Sequence, residues 1–225
     1  MIIIFNFIVC IFEIWIVFEF FEKFLGVKEK EKKYKIEIIF LFAVLVSIIN
    51  HFNSTILNLL LVPLIYFLLA VVVFHGNILK KIFETMIGVI IPFGAELLVV
   101  AGLNISSDEL MTQIVASERS VMIMTVIVKL VSFIIFMIVM HFSTGKSDSM
   151  DTKTFCHYII VPLSSLGIMF SVVFCNIDFT DGSIAKYSLI LFFILLMLGN
   201  AMVFYGYSGY AKTLEDKEAN MRELM

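Results

Sequence analysis

The ten residues from Ser188 to Met197 read SLILFFILLM, an apolar run without a charge. A second run, IEIIFLFAVLVSII, extends from Ile36 to Ile49 and contains one acidic residue. Strands of a membrane barrel would alternate apolar and polar side chains, whereas these runs are apolar on consecutive residues. Because only helices and closed barrels satisfy their backbone groups in lipid, the pattern predicts membrane-spanning helices.

The composition of the whole chain leads to the same class of protein. Of 225 residues, 61% are hydrophobic and 16% are charged, and the mean hydropathy is +1.05. A soluble domain is nearer half apolar and a quarter charged, so one aqueous core would not bury this much apolar surface. The formal net charge of -3 does not suggest a nucleic-acid partner. We therefore expect an all-α polytopic membrane helical bundle surrounded by lipid.

The apolar runs can be converted into spans, since a helix needs about 20 residues to cross the hydrocarbon core. Met1 is followed at once by apolar residues without a basic segment, which favours a retained first helix over a signal peptide. A seven-helix transmembrane domain is predicted at 1–209, followed by the start of a cytoplasmic coiled-coil helix at 210–225. The predicted spans are 2–21, 36–52, 56–75, 82–103, 119–142, 156–175 and 185–208.

The basic residues predict the orientation of the chain. Thirteen of the 16 Lys and Arg residues follow the first, third, fifth and seventh predicted spans. Cytoplasmic loops carry an excess of Lys and Arg, so this bias predicts an outer N-terminus and a cytoplasmic C-terminus. That orientation requires an odd number of spans, which favours seven over six.

Three charged residues lie well inside the predicted spans, away from the span ends: Glu13, Glu96 and Lys129. Charges within a bilayer are costly and usually functional. At about 1.5 Å per residue, Glu13 and Lys129 lie at comparable depths and Glu96 lies somewhat nearer the outer surface. One interpretation is an outward-facing ligand pocket or a polar switch. The other is a static interhelical ion pair that fixes packing, and the sequence leaves both open.

The prolines Pro63, Pro92 and Pro162 all lie inside predicted spans. Proline removes a backbone donor and kinks a helix. Pro92 precedes Glu96 by four residues, so a kink there would expose carbonyl groups beside that carboxylate. The fourth helix is therefore the best candidate for a moving or ligand-facing element, although static proline kinks are commoner than mobile ones.

The sequence offers no catalytic, metal or cofactor site. None of the four histidines stands four residues from another, as a metal-binding HExxH helix requires, and no GxxxxGK[ST], GxSxG or GxGxxG motif is present. Cys156 and His157 are adjacent, but neighbouring helical residues point about 100° apart. The residues therefore give little support to a membrane peptidase.

The C-terminal segment has the spacing of a coiled coil. Tyr210, Leu214, Lys217, Met221 and Leu224 follow a 4-3-4-3 pattern with a polar break at Lys217. No Gly or Pro interrupts the chain from Ala211 to Met225. A helix leaving the last span without interruption would be a mechanical link to a cytoplasmic output; a solvated helical tail is the alternative.

Three segments resemble the membrane sensor region of GHKL-type sensor histidine kinases, which include the peptide-pheromone receptors of accessory-gene-regulator quorum sensing in Gram-positive bacteria. They are FEFFEKFL from Phe18 to Leu25, IVPLSSL from Ile160 to Leu166, and the transition from the last span into a charged coil. In layout the resemblance covers essentially the whole chain. It implies a receptor for two-component signal transduction in the plasma membrane of a Gram-positive bacterium, with an extracellular signal such as a peptide.

The resemblance also implies partners, and the sequence departs from the family in one respect. The implied assembly is a homodimer that controls a cytoplasmic kinase and its response regulator. The phosphoacceptor helix and the ATP-binding domain of such kinases are not found in these 225 residues, so we expect no kinase activity from this chain alone. It would be a fragment of a kinase or a stand-alone receptor. The alternative function is a small solute carrier or the substrate-binding subunit of a membrane importer.

Overall fold

The computed structural model describes residues 2–52, 54–106, 117–142, 150–174 and 183–223. Within these ranges the structure is helical and contains no strand. The helices are α1 (Ile2–Leu25), α2 (Lys35–His51), α3 (Thr55–Val73), α4 (Ile78–Ser106), α5 (Glu118–Phe142), α6 (Thr152–Tyr158), α7 (Ile160–Phe174) and α8 (Ser183–Glu223), with a 3₁₀ turn at Lys32–Tyr34 before α2.

The helices confirm the predicted all-α polytopic bundle. Six of those described are long and apolar enough to cross a membrane: α1 to α5 and the part of α8 from Ile190 to Tyr210. Helices α6 and α7 meet at an angle of 43° and give a seventh span if the bent pair is counted as one. The count of seven therefore depends on this broken helix.

The bend between α6 and α7 has a local cause in Pro162. Proline has no N–H group, and its ring clashes with the carbonyl four residues earlier, here that of Tyr158. Helix α6 ends at Tyr158, and α7 begins at Ile160. By contrast, α3 continues through Pro63 and α4 continues through Pro92. The break thus lies at Ile159, within one turn before Pro162, whereas α4 shows no break at Pro92.

Helix α4 is the centre of the bundle and packs against α3, α5, α7 and α8. Its Phe83 and Ile90 are fully buried. Large apolar side chains elsewhere point outward; Leu64, Ile123 and Leu195 are each more than half exposed. Outward apolar side chains of this kind are the surface that lipid covers in a membrane bundle.

One end of the bundle, here called the basic end, contains the C-termini of α1, α3 and α5 and the N-termini of α2, α4 and α6. Two connections are joined there by an antiparallel bridge between Val27 and Phe74. Gly26 and Gly76 flank the bridge with φ angles of 73° and 95°, a left-handed conformation that glycine adopts without a steric cost. The basic end is therefore a structured face, and the lysine bias predicts that it is cytoplasmic.

Candidate functional site

The first of two polar sites, called the central polar centre, consists of Glu13, Tyr66 and Lys129. Lys129 Nζ lies 2.6 Å from Glu13 Oε2, and the Tyr66 hydroxyl donates to Glu13 Oε1 at 2.6 Å. The Glu13 and Lys129 side chains are 13% and 20% exposed. The centre therefore joins α1, α3 and α5 through one carboxylate.

Both oxygens of the Glu13 carboxylate have a partner, which explains how a charge is tolerated inside the bundle. A buried ion is stable only when it is paired and its remaining lone pairs are hydrogen-bonded. One turn before Glu13, the Cys10 thiol accepts a hydrogen bond of 3.4 Å from the Asn50 amide. Helix α2 is thus tied to the same level of α1.

Glu96 lies near this centre without pairing with it. Lys129 interacts electrostatically with both Glu13 and Glu96, but within the described ranges its ion pair is with Glu13. The Glu96 side chain is exposed, and Pro92 is half-buried one turn before it. A carboxylate exposed within a span requires water, protonation or a polar partner. Of the three charged residues predicted inside the spans, Glu13 and Lys129 form an ion pair, and Glu96 lies near them without joining it.

The second site, called the inner polar centre, consists of Lys80, Glu84 and Tyr207 near the basic end. All three are buried, Lys80 at 2% and Glu84 at 1% exposure. Lys80 Nζ donates to the Phe24 carbonyl at 2.6 Å, at the C-terminus of α1. Lys80 also interacts electrostatically with Glu84 one turn later. The Tyr207 ring of α8 packs against Phe83, the residue before Glu84, with 5.0 Å between ring centroids. These interactions link α1, α4 and α8.

The inner polar centre differs from the central one in having polar atoms without partners. Glu84 Oε2, Thr85 Oγ1 and the Tyr207 hydroxyl are buried, and none has a hydrogen-bond partner among the described residues. An unsatisfied buried polar atom costs about 1–3 kcal/mol. A small rearrangement or a bound water that satisfied these atoms would therefore be favourable.

An aromatic cluster surrounds α8 at the level of the inner polar centre. The Phe204 ring packs edge-on against Phe24 of α1, with 4.7 Å between ring centroids. The Tyr207 ring lies 5.0 Å from Phe83 of α4 and 5.8 Å from Tyr158 of α6. Aromatic rings prefer such tilted contacts. A displacement of α1, α4 or α6 would therefore act directly on the part of α8 that precedes the tail.

Between the two centres, a small cavity of about 20 Å³ lies among α4, α5 and α8. Its lining is apolar except for Asn200, which is buried. The Asn200 amide donates to Ser165 Oγ on α7 at 2.7 Å, and its Oδ1 has no partner among the described residues. The volume is enough for about one water molecule.

Helix α8 extends 41 residues, from Ser183 to Glu223, and includes the predicted transmission segment. Tyr210 and Met221 are 41% and 57% exposed, and Lys217 is also exposed. Leu214 lies within the helix, and Leu224 lies outside the described residues. The helical continuity of the tail is therefore present in the structure, while the predicted coiled-coil contacts stay a prediction.

Several polar residues of these sites were not found from the sequence: Tyr66, Lys80, Glu84 and Tyr207. Tyr66 lies in an apolar span without a charge of its own to mark it. Lys80 and Glu84 have the i, i+4 spacing of a helical ion pair, which could have indicated their interaction. The pair lies at the boundary of a predicted span, where charged residues are expected to be solvated. In the structure, Lys80 and Glu84 are buried because α6 and α8 pack against α4.

The described residues contain no group of three or more His, Cys, Asp or Glu side chains able to hold a metal ion. At the start of α6, Asp151 Oδ2 accepts a hydrogen bond from the Thr154 backbone N–H. Hydrogen bonding to Thr154 holds the pKa of the Asp151 carboxyl below its ordinary value. This acid caps a helix, and it is not part of either polar centre.

Comparison with protein-family models, curated proteins and solved structures finds no match for the chain. The fold and the two centres nevertheless define its class. It is a polytopic α-helical membrane protein with charged groups inside its bundle.

Proposed function

We propose that this chain is the membrane sensor module of a two-component histidine kinase, in the plasma membrane of a Gram-positive bacterium. An extracellular signal, such as a peptide, binds at the end of the bundle opposite the basic end. The signal shifts an equilibrium between two arrangements of α8, which acts on a cytoplasmic kinase. The chain itself has no catalytic role and works as a homodimer.

The observation that carries this proposal is the continuity of α8 from its span into the tail. The span ends at Tyr210 and the helix continues to Glu223. At 1.5 Å per residue, the 13 further residues extend about 20 Å beyond the span. A rigid helix of this length transmits a rotation or translation of its membrane part to whatever it contacts.

The polar centres support a route from the signal to α8. Helix α4 contains both Glu96 and Glu84, which are 12 residues, or about 18 Å, apart along the helix. A ligand that engages Glu96 would act on the same helix whose Phe83, next to Glu84, packs against Tyr207 of α8. Such a ligand shifts the equilibrium only by its difference in affinity for the two states.

The proposal is tested by following the tail directly. The full chain carrying Met221→Cys, with Cys10→Ala, Cys156→Ser and Cys175→Ser, is spin-labelled in liposomes, and distances between the labels are measured by pulsed electron paramagnetic resonance. The probe is cell-free spent medium from the source organism, compared with fresh medium.

We expect an intermolecular distance in fresh medium and a changed distribution in spent medium. A label at Ile48→Cys on α2, which is 53% exposed, is the matched control and should report no change. A folded protein without any intermolecular distance at Met221, and without a response to spent medium, would contradict the sensor proposal.

A solute carrier is the second candidate, favoured by the unpartnered Glu84 oxygen and the cavity at Asn200, which place polar groups inside the bundle. Uptake of radiolabelled riboflavin, thiamine and biotin by proteoliposomes tests it. Uptake that is lost in Glu84→Gln and Asn200→Leu but retained in the exposed variant Tyr205→Phe would favour the carrier. Absence of uptake, combined with a response of the tail, would favour the sensor.

A further inference from the structure

The lysines at the basic end fall into two groups. Those of the first group bond to protein atoms, mostly the backbone carbonyls that end α1, α3 and α5. Their partners are Met140 for Lys23, Val71 and Val72 for Lys28, Glu19 and Glu22 for Lys35, Phe24 for Lys80, and Val71 for Lys81. Cations at helix C-termini satisfy the last carbonyls and complement the helix dipole. The ammonium groups of this first group therefore stabilise the fold itself.

The second group is Lys30, Lys32 and Lys33, in the connection between α1 and α2. All three are exposed, and none forms a salt bridge with a described residue. Without the bonded Lys28 and Lys35, the segment 29–34 contains these three lysines and two glutamates, an excess of one positive charge. The connection therefore presents three exposed ammonium groups without a salt bridge to a described residue.

The backbone of this connection is ordered by hydrogen bonds at both ends. The Lys28 N–H donates to the Val73 carbonyl at 3.0 Å, next to the bridge that joins the connection to the end of α3. The Tyr34 N–H donates to the Glu31 carbonyl at 3.0 Å and forms the 3₁₀ turn. The three lysines are thus displayed from a preformed turn, which reduces the entropy lost on binding a partner.

The position of the turn relative to the bilayer follows from its neighbours. Ile36, two residues after Tyr34, is 81% exposed and begins the lipid-covered face of α2, which continues to Phe40. Tyr34 is 46% exposed, and the Lys33 ammonium lies 4.6 Å from the centre of its ring. Tyrosine is enriched at the membrane–water interface, so the turn lies at the level of the lipid headgroups.

We infer that the turn from Lys30 to Tyr34, called the cationic turn, is a binding surface for anionic phospholipid headgroups. Its exposed ammonium groups complement the phosphodiester charge, and its tyrosine lies at the interface next to the acyl chains. Juxtamembrane lysine clusters are attracted to anionic leaflets in this way. The inference is independent of the proposed sensor function and would hold equally for a carrier.

The test measures binding of a fluorescent phosphatidylglycerol analogue to the full chain in neutral-detergent micelles. The variant Lys32→Gln/Lys33→Gln removes two charges from the cationic turn. The matched control Lys153→Gln/Lys212→Gln removes two exposed charges from other segments predicted to lie on the same side. Circular dichroism and gel filtration establish that each variant is folded. If Lys32→Gln/Lys33→Gln does not fold, the single variants Lys30→Gln and Lys33→Gln replace it.

We expect Lys32→Gln/Lys33→Gln to weaken binding about tenfold and the control to change it less than about twofold. Lys32→Arg/Lys33→Arg should retain wild-type binding because the charge is kept. Equal losses in the two glutamine variants would overturn the inference, because binding would then depend on total charge and not on the turn. Unchanged binding in the turn variant, or displacement of the lipid by millimolar inorganic phosphate, would also overturn it.

Discussion

The central and inner polar centres each place a carboxylate inside the bundle, but only the central one satisfies it. Glu13 bonds to Lys129 through one oxygen and to Tyr66 through the other, both at 2.6 Å. In the inner centre, Glu84 Oε2 and the Tyr207 hydroxyl have no hydrogen-bond partner among the described residues. A displacement of α1, α3 or α5 would break hydrogen bonds of the central centre. A rearrangement of Glu84 or Tyr207 would break no hydrogen bond of the atoms that lack a partner.

This difference assigns the two centres opposite mechanical roles. The central centre fixes α1, α3 and α5 relative to one another and lies beside Glu96, at which the signal is proposed to bind. The inner centre, surrounded by rings that contact α8, is where a small movement is least costly. Three substitutions test this contrast: Lys129→Met, Tyr66→Phe and Tyr207→Phe.

The largest effect is expected for Lys129→Met, which leaves the Glu13 carboxylate buried without its cation. Removing one partner of a buried ion pair costs about 3–5 kcal/mol. Thermal unfolding in detergent measures the loss of stability of the whole protein. In a Cys156→Ser/Cys175→Ser background, the rate at which maleimide labels Cys10 measures local opening, because Cys10 is buried one turn from Glu13.

The control for this substitution is Glu13→Gln/Lys129→Met, which removes both charges while keeping the shape of the carboxyl group. This double variant should recover a large part of the lost stability, because no unpaired charge is then buried. If the single and double variants unfold at the same temperature, Glu13 and Lys129 are not coupled, and the central centre is not the frame described above.

A smaller loss is expected for Tyr66→Phe, which removes only the hydroxyl that donates to Glu13. A hydrogen bond to a charged group contributes about 1.5–3 kcal/mol. Tyr205→Phe, at a position that is 59% exposed, is the matched control and should change the free energy of unfolding by less than about 0.5 kcal/mol. Equal stability of the two variants would mean that the hydrogen bond from Tyr66 to Glu13 does not stabilise the protein.

The central centre was partly predictable from the sequence because depth in the membrane follows from residue counting. Glu13 and Lys129 were placed at comparable depths by the rise of 1.5 Å per residue, and the structure pairs them. Tyr66 was not predicted, since its contact depends on how α3 is rotated about its axis. The spans themselves were predictable because their length and apolar character are properties of consecutive residues.

The inner centre was missed for a different reason. Lys80 was counted among the loop lysines that set the orientation, and Glu84 lay at a predicted span boundary. In the structure Lys80 is buried and bonds to the Phe24 carbonyl of α1. The positive-inside rule counts all lysines alike, whereas the fold separates those that cap helices from those that remain exposed in the cationic turn. That separation depends on which helices meet, and a single sequence does not contain it.

The smallest effect on stability is expected for Tyr207→Phe, and it contrasts with the same change at Tyr66. The Tyr207 hydroxyl is buried without a partner among the described residues, so its removal relieves a desolvation cost and leaves the ring contacts with Phe83 and Tyr158 in place. We expect the free energy of unfolding to be unchanged or higher by up to about 1 kcal/mol. In the spin-labelled Met221→Cys background, however, the distance distribution of the tail should shift, because removing an unpartnered buried hydroxyl changes the energy difference between the two arrangements proposed for α8. A loss of stability as large as that of Tyr66→Phe would show that the hydroxyl has a bonded partner, and the two centres would then no longer differ.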